Sequence, residues 1–103
     1  MRENIEKLLE RYEEVLELDD SQIFYADSIL THNTECKVEE VKKMQKSGVN
    51  SMDLYERVMD KWDEETYNAF RRILDDEQWE KYLKTGAGKA QKAREKKSAK
   101  SRK

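Results

Sequence analysis

The chain has 103 residues, of which 43% are charged and only 36% hydrophobic. This length allows one small domain, and so few apolar residues exclude a thick globular core, which leaves a thin helical assembly as the expected architecture. No stretch approaches the roughly 20 apolar residues that span a membrane, and a single cysteine, Cys36, excludes an intramolecular disulfide.

Charge is distributed unevenly along the chain. Residues 85–103 carry eight basic residues and one acidic residue, whereas residues 1–84 carry 13 basic and 22 acidic ones. Residues 87–103 also contain no large apolar side chain, so they cannot bury enough surface to offset the entropy of ordering. We therefore predict one acidic helical domain over residues 1–86 and a flexible, disordered basic tail over residues 87–103, helical at most in part.

The first predicted helix runs from about Glu3 to Glu17, because apolar residues recur there every three or four positions. A five-residue pattern follows, Leu18-Asp19-Asp20-Ser21-Gln22, and it returns as Leu74-Asp75-Asp76-Glu77-Gln78. In each copy the second residue suits an N-cap, and the glutamine three positions later completes a capping box. Apolar residues on both sides of each box predict hydrophobic staples, so helices are expected to begin at Asp20 and Asp76: the flanking pairs are Leu18 with Ile23 and Leu74 with Trp79.

The second predicted helix is long and ends before Gly48, with a bend near Asn33. Asn50 is predicted to cap the third helix, which continues to Leu74, and the short turn makes these two helices antiparallel neighbours. A fourth helix from Asp76 to Lys84 ends at Gly86. The sequence thus predicts an all-α fold, an elongated helical hairpin of about four helices followed by the disordered basic tail.

His32 and Cys36 lie four residues apart, which places them on one face of a helix at a spacing that can bind zinc, copper or nickel. Two ligands do not make a site, and the chain has no second histidine. The alternative interpretation is a polar helix face with one small buried thiol, and a homodimer would double the ligands. No cofactor is predicted.

Other chemistry finds little support in the sequence. The basic tail has no interleaved aromatic residues on which bases could stack, so nucleic acid is an unlikely partner. There is no glycine-rich phosphate loop and the single histidine has no nucleophile partner, so no enzyme is predicted. The methionines Met44, Met52 and Met59 have helical spacing, which is typical of ordinary packing and also fits an adaptable binding surface.

The doubled pattern resembles the LTxxQ motif, which occurs twice in small periplasmic proteins of the Spy/CpxP type. Asp19 and Asp75 stand where that family has threonine, a mild departure because aspartate caps a helix equally well. The layout of motif, long helix, turn, helix, motif and short helix covers Leu18 to about Leu83. The motif residues that carry the resemblance are Leu18, Asp19, Gln22, Leu74, Asp75 and Gln78.

The resemblance implies a homodimeric, curved helical cradle that holds unfolded or stressed proteins without ATP, in the periplasm, after removal of a signal peptide. If Met1 is the native start, a cytoplasmic protein is expected instead. Some relatives bind metal in the region of His32 and Cys36. The alternatives are therefore a metal-responsive sensor or buffer of the same family, or a cytoplasmic adaptor that binds nucleic acid through its tail. The side chains expected to remain partly uncovered and to contact clients are Phe24, Tyr25, Tyr55 and Tyr67.

Overall fold

The structure is a computed structural model that describes residues 2–101, with side chains described for residues 3–97. Every regular element in that range is helical, which confirms the all-α prediction. The elements are α1 (Arg2–Leu16), α2 (Asp20–Lys46), α3 (Met52–Ile73), α4 (Asp76–Tyr82) and α5 (Gly88–Ser101), with a wide turn over Leu83–Ala87 between the last two. The molecule measures 43 × 31 × 18 Å, so it is elongated as expected.

The long hairpin of α2 and α3 forms the most extensive helix–helix contact. Its polar cross-links show that the helices are antiparallel, because the residue numbers of the partners on α3 fall as those on α2 rise. Asn33 Nδ2 donates to Thr66 Oγ1 at 3.0 Å, and Lys37 Nζ lies 3.2 Å from an Asp63 carboxylate oxygen. Farther out, Lys61 Nζ lies 2.6 Å from Glu40 Oε1. The hydrogen bond from Lys61 holds the pKa of the Glu40 carboxyl below its usual value.

The turn between α2 and α3 ends the first helix as the sequence predicts. Gly48 has a φ of 78°, its N–H donates to Gln45 O, and the Val49 N–H donates to Met44 O. These two bonds form a Schellman motif, in which glycine adopts the left-handed conformation without a Cβ penalty.

The predicted start of the third helix is wrong by one residue. Ser51, not Asn50, is the N-cap of α3, and it makes no side-chain capping hydrogen bond. The Tyr55 hydroxyl instead donates to Val49 O at 2.5 Å, which fastens the turn to the first residues of α3. An aromatic side chain thus stabilises this turn in place of a capping box.

The hydrophobic core lies at the end of the hairpin where the two motifs meet. Phe70 and Leu16 are fully buried, and Tyr82 packs between rings of α1, α3 and α4. The outer half of the hairpin, from Thr31 to Thr66, contains no buried side chain. The core residues are Ile5, Leu16, Leu18, Ala26, Leu30, Phe70, Leu74, Trp79 and Tyr82.

The segment predicted as a flexible tail forms α5, which is longer than the partial helix that the sequence allows. The chain turns sharply at Gly86, whose φ is 108°, and then continues as a helix beside α3. Lys97 forms ion pairs with Glu56 and Asp60 of α3. Side chains of residues 98–103 lie outside the described part. The chain therefore changes direction at Gly86, the predicted end of the helical domain, but continues to contact the body beyond it.

Candidate functional site

The two capping boxes predicted from the sequence are both formed. Asp19 accepts from the Gln22 N–H at 2.8 Å, and Gln22 Oε1 accepts from the Asp19 N–H at 3.0 Å. The second box is equivalent, with 2.8 Å from the Gln78 N–H to Asp75 and 3.1 Å from the Asp75 N–H to Gln78 Oε1. The apolar residues before the caps, Leu18 and Leu74, are buried in the core. The repeated motif therefore builds two helix starts, as predicted.

The boxes also bind each other, which the sequence does not reveal. Gln22 Nε2 lies 2.6 Å from Gln78 Oε1, and Gln78 Nε2 lies 2.9 Å from Gln22 Oε1. Each amide nitrogen also donates to the last carbonyl of a helix in the opposite corner, Gln22 to Ile73 O at 2.9 Å and Gln78 to Leu16 O at 3.2 Å. The two glutamines thus provide hydrogen-bond partners for backbone groups at the ends of four helices. We call this arrangement the glutamine joint (Gln22 and Gln78).

The joint is nearly but not fully symmetric. The first corner holds one more residue than the second, and Glu17 adopts a left-handed conformation there with a φ of 54°. Lys81 on α4 lies 3.4 Å from the Glu17 carboxylate across the corner. The joint connects the corner between α1 and α2 to the corner between α3 and α4, at the end of the hairpin where the core lies.

A groove of about 440 Å³ is lined by residues of α2, α3 and α5, together with Leu8 and Tyr12 of α1. Its walls combine aromatic rings with charged groups, a composition that suits amphipathic ligands. Arg94 of α5 lies over the Tyr67 ring at 5.8 Å from the centroid. Residues that define the groove are Tyr12, Lys37, Trp62, Tyr67, Ala90 and Arg94.

The floor of this groove continues beyond it as an exposed row on α3. Met52, Met59 and Thr66 are seven residues apart, a spacing that aligns them along one side of a helix. Thr66 lines the groove, whereas Met59 is 48% exposed and Met52 80% exposed. The apolar stripe of α3 therefore loses its cover toward the tip of the hairpin.

The structure separates the four predicted client-binding residues into different environments. Phe24 and Tyr25 are exposed on α2 and form an edge-to-face pair with centroids 5.6 Å apart. Tyr55 is half-buried by its contact with the turn, and Tyr67 packs on Trp79 with centroids 4.9 Å apart. Only the first two are open on the surface, so the four do not all present open rings. The exposed methionines of α3 were noted in the sequence by their spacing, but their exposure required the fold.

His32 and Cys36 do lie side by side on α2, with Nε2 and Sγ 3.6 Å apart. The His32 ring also meets the edge of Trp62, with centroids 6.5 Å apart. Within the part of the chain that the structure describes, no group of three or more histidine, cysteine, aspartate or glutamate residues is placed to hold a metal ion. The two residues supply a pair of donors, and metal binding there stays a prediction.

Among residues 2–101, no helix combines the length and the apolar character that crossing a membrane requires. No family model, curated protein or solved structure matches the chain. The resemblance to Spy/CpxP proteins accordingly stands on the two motifs and their layout.

Proposed function

We propose that this chain is an ATP-independent, client-holding protein of the Spy/CpxP type that acts on unfolded or stressed proteins in the periplasm. The observation that carries the proposal is the exposed continuation of the α3 stripe, Met52 and Met59, which extends from an aromatic-lined groove. Large exposed apolar surface on a small protein is typical of an interaction site. The periplasmic location comes from the family resemblance.

The exposed side chains are suited to weak and varied partners. Methionine is flexible and polarisable, so it adapts to apolar segments of different shape. The Phe24–Tyr25 pair adds a second exposed apolar patch at the other end of α2. Because these contacts stay largely solvated, we expect micromolar affinity, on the order of −7 to −8 kcal/mol. Fast release is useful to a protein that holds clients without ATP.

Charge around these patches supports the same role. Half-exposed ion pairs such as Lys37–Asp63 and Lys61–Glu40 flank the hairpin. Charged rims speed encounter with partners and limit self-association. The acidic body favours clients, or client segments, with a positive charge.

The proposal is tested by suppression of aggregation of reduced α-lactalbumin at several-fold molar excess of this protein. We expect the wild type to delay aggregation, and Met59→Ser and Tyr25→Ser each to weaken the effect with unchanged helicity. Gln45→Ser, at an exposed polar position of α2, is the matched control. Tyr67→Ser is less suitable, because Tyr67 packs on Trp79 and its loss would disturb the core.

Absence of any effect of the wild type on aggregation would contradict the proposal. The location is tested separately, by the presence of a signal peptide at the start of the full-length gene. A cytoplasmic protein with holding activity would keep the biochemical function and remove the periplasmic assignment.

A second candidate, a metal-responsive sensor or buffer, is favoured by the 3.6 Å contact between His32 Nε2 and Cys36 Sγ. In a homodimer two such pairs would supply four donors of the kind that zinc prefers. Titration with zinc or nickel tests this candidate. A tight stoichiometric complex that disappears in His32→Ala would transfer the assignment to metal sensing.

A further inference from the structure

Helix α5 is attached to the body mainly through polar contacts. Lys97 pairs with Glu56 and with Asp60, the latter at 3.2 Å, and Gln91 Nε2 donates to Glu64 Oε1 at 3.1 Å. These side chains are about half exposed, and ion pairs in such surroundings contribute little because water and salt screen them. The described part of α5 offers only alanines as apolar contacts, so it is a weakly held element.

The surface beneath α5 has two parallel rows of different chemistry. Glu56, Asp60 and Glu64 are four residues apart on α3 and form the row that α5 contacts. Beside it runs the row of Met52, Met59 and Thr66, in which the two exposed methionines are apolar and Thr66 bonds to Asn33 of α2. A basic side and an apolar side on one helix would match these rows together.

Helix α5 matches only the acidic row. It runs antiparallel to α3, since Gln91 meets Glu64 and Lys97 meets Glu56. Ala90 faces the groove but is too small to fill it, and Met59 remains 48% exposed. A helix with the same basic residues and larger apolar ones in place of Ala87 and Ala90 would fill more of the groove from which the methionine row extends, and would bury more apolar surface than α5 does.

We propose that α5 occupies, within its own chain, a docking surface for a basic amphipathic helix of a partner protein. The inference deepens the proposed function, on which it rests for the natural partner, by naming the kind of client segment bound. Gly86 provides the hinge, because its φ of 108° interrupts the helical conformation between α4 and α5. Tethering gives α5 a high effective concentration, so even weak contacts keep the surface closed most of the time.

The test uses a fluorescein-labelled peptide of residues 87–101 that carries Ala87→Leu and Ala90→Leu, with binding to the full chain followed by anisotropy. Lys97→Glu removes the pairing with Glu56 and Asp60 and should release α5. Because apparent affinity scales with the open fraction, we expect this variant to bind the peptide roughly tenfold more tightly than wild type. Lys96→Glu makes the same charge change at an exposed neighbouring position and should bind like wild type.

A third protein separates an opened surface from a damaged one. Glu56→Lys with Asp60→Lys releases α5 and also reverses two of the three charges of the acidic row, so the peptide should bind at least about fivefold more weakly than to Lys97→Glu. Circular dichroism confirms that each variant keeps its fold. This measurement does not depend on aggregation suppression, so failure of client holding and failure of the docking surface are distinguishable.

Equal peptide affinity for Lys97→Glu and Lys96→Glu would overturn the proposal, as would binding to the Glu56→Lys, Asp60→Lys protein that is as tight as binding to Lys97→Glu. A third outcome would also overturn it. If Lys97→Glu leaves peptide binding unchanged but sediments as a dimer at a concentration where the wild type is monomeric, the surface serves a second copy of this chain and not a partner helix.

Discussion

Gln22 and Gln78 connect parts of the chain that are 56 positions apart. Each amide oxygen accepts from the backbone of its own N-cap, and each amide nitrogen reaches a helix end in the other corner. The side chains are part-buried, so a lost partner would leave backbone groups poorly satisfied. The motif glutamine is therefore a tertiary contact as well as a local cap.

A double-mutant cycle measures this second role. We expect Gln22→Ala and Gln78→Ala each to lower the free energy of unfolding by about 1–3 kcal/mol, since each leaves several groups unpaired. The double variant should lose less than the two single losses combined, with a coupling on the order of 1 kcal/mol. Urea denaturation followed by circular dichroism gives these values, and Gln45→Ala is the exposed control. Strict additivity would mean that each glutamine acts only on its own helix.

The aspartates of the motif should have simpler effects. Asp19→Ala and Asp75→Ala each remove one side-chain acceptor at an N-cap, which lowers the free energy of unfolding by roughly 1 kcal/mol. Asp19→Thr and Asp75→Thr, the residue found in the resembling family, should restore most of the loss. Thermal unfolding of the four variants checks both statements, and alanine variants as stable as wild type would contradict the capping role.

At the residue scale, the sequence predicts what is decided by neighbours in the chain. The boxes at Asp19 and Asp75 depend on groups within three positions, and both are confirmed. The pairing of Gln22 with Gln78 depends on the path of the chain between them and leaves no local signal. The Asn50 prediction was wrong because Tyr55 stabilises the turn through Val49, a contact that a capping pattern does not include.

Among the elements, α4 contributes most to the core for its length. Tyr82 is 4% exposed and lies against Phe70 and Tyr12, with ring centroids 5.1 and 5.6 Å apart. Burial raises the pKa of the Tyr82 hydroxyl above its ordinary value of 10.0, and the neighbouring Tyr12 raises it further while Arg94 opposes the change. Burial likewise raises the pKa of Tyr12.

This shift predicts how stability changes with pH. Because the folded state holds the Tyr82 proton more tightly than the unfolded state, its contribution is complete below pH 10 and is lost as the pH rises above 10. Tyr82→Phe keeps the ring and removes the titrating proton, so its free energy of unfolding should fall less steeply with pH than that of the wild type. The two slopes should differ by at most about 1.4 kcal/mol per pH unit. Urea denaturation from pH 8 to 11 measures the difference. Tyr25→Phe, at an exposed position, should follow the wild type, and identical slopes for all three proteins would refute the argument.

The packing of helix α5 against the body is a feature that the sequence does not predict. Its composition contains no apolar periodicity, so nothing in residues 87–103 predicts a docked helix. The partners that hold it, Glu56, Asp60 and Glu64, appear in the sequence as ordinary solvated acids of α3. Charge complementarity between distant segments becomes visible only when the fold brings them together.

At the scale of the whole molecule, the core lies at one end of the hairpin and the exposed methionines of α3 lie toward the other. The glutamine joint and the buried rings stabilise one end, whereas the outer hairpin has no buried side chain. The sequence predicts the amphipathic stripes of α2 and α3 but not how much of each is covered, because coverage depends on where α1 and α5 lie. A stable end that supports an uncovered one is the arrangement expected of a protein that binds through its hairpin.

The uncovered end also bears on the homodimer, which the family resemblance implies and which stays a prediction. Two hairpins can cover the Met52 and Met59 row symmetrically when no client or partner helix occupies it, since the same patch serves both copies in a two-fold interface and the second copy then competes with those ligands. We expect a dimer by sedimentation velocity at high micromolar concentration. Met52→Glu with Met59→Glu places charges in that interface and should give a monomer with unchanged helicity. Arg57→Glu makes the same net charge change at an exposed position of the same helix and should leave the dimer intact.

If wild type is monomeric at these concentrations, the row is free in solution and its exposure must be attributed to client or partner binding alone. If all three proteins are dimers, the interface lies on another face, and the methionines remain available for binding within the assembled dimer.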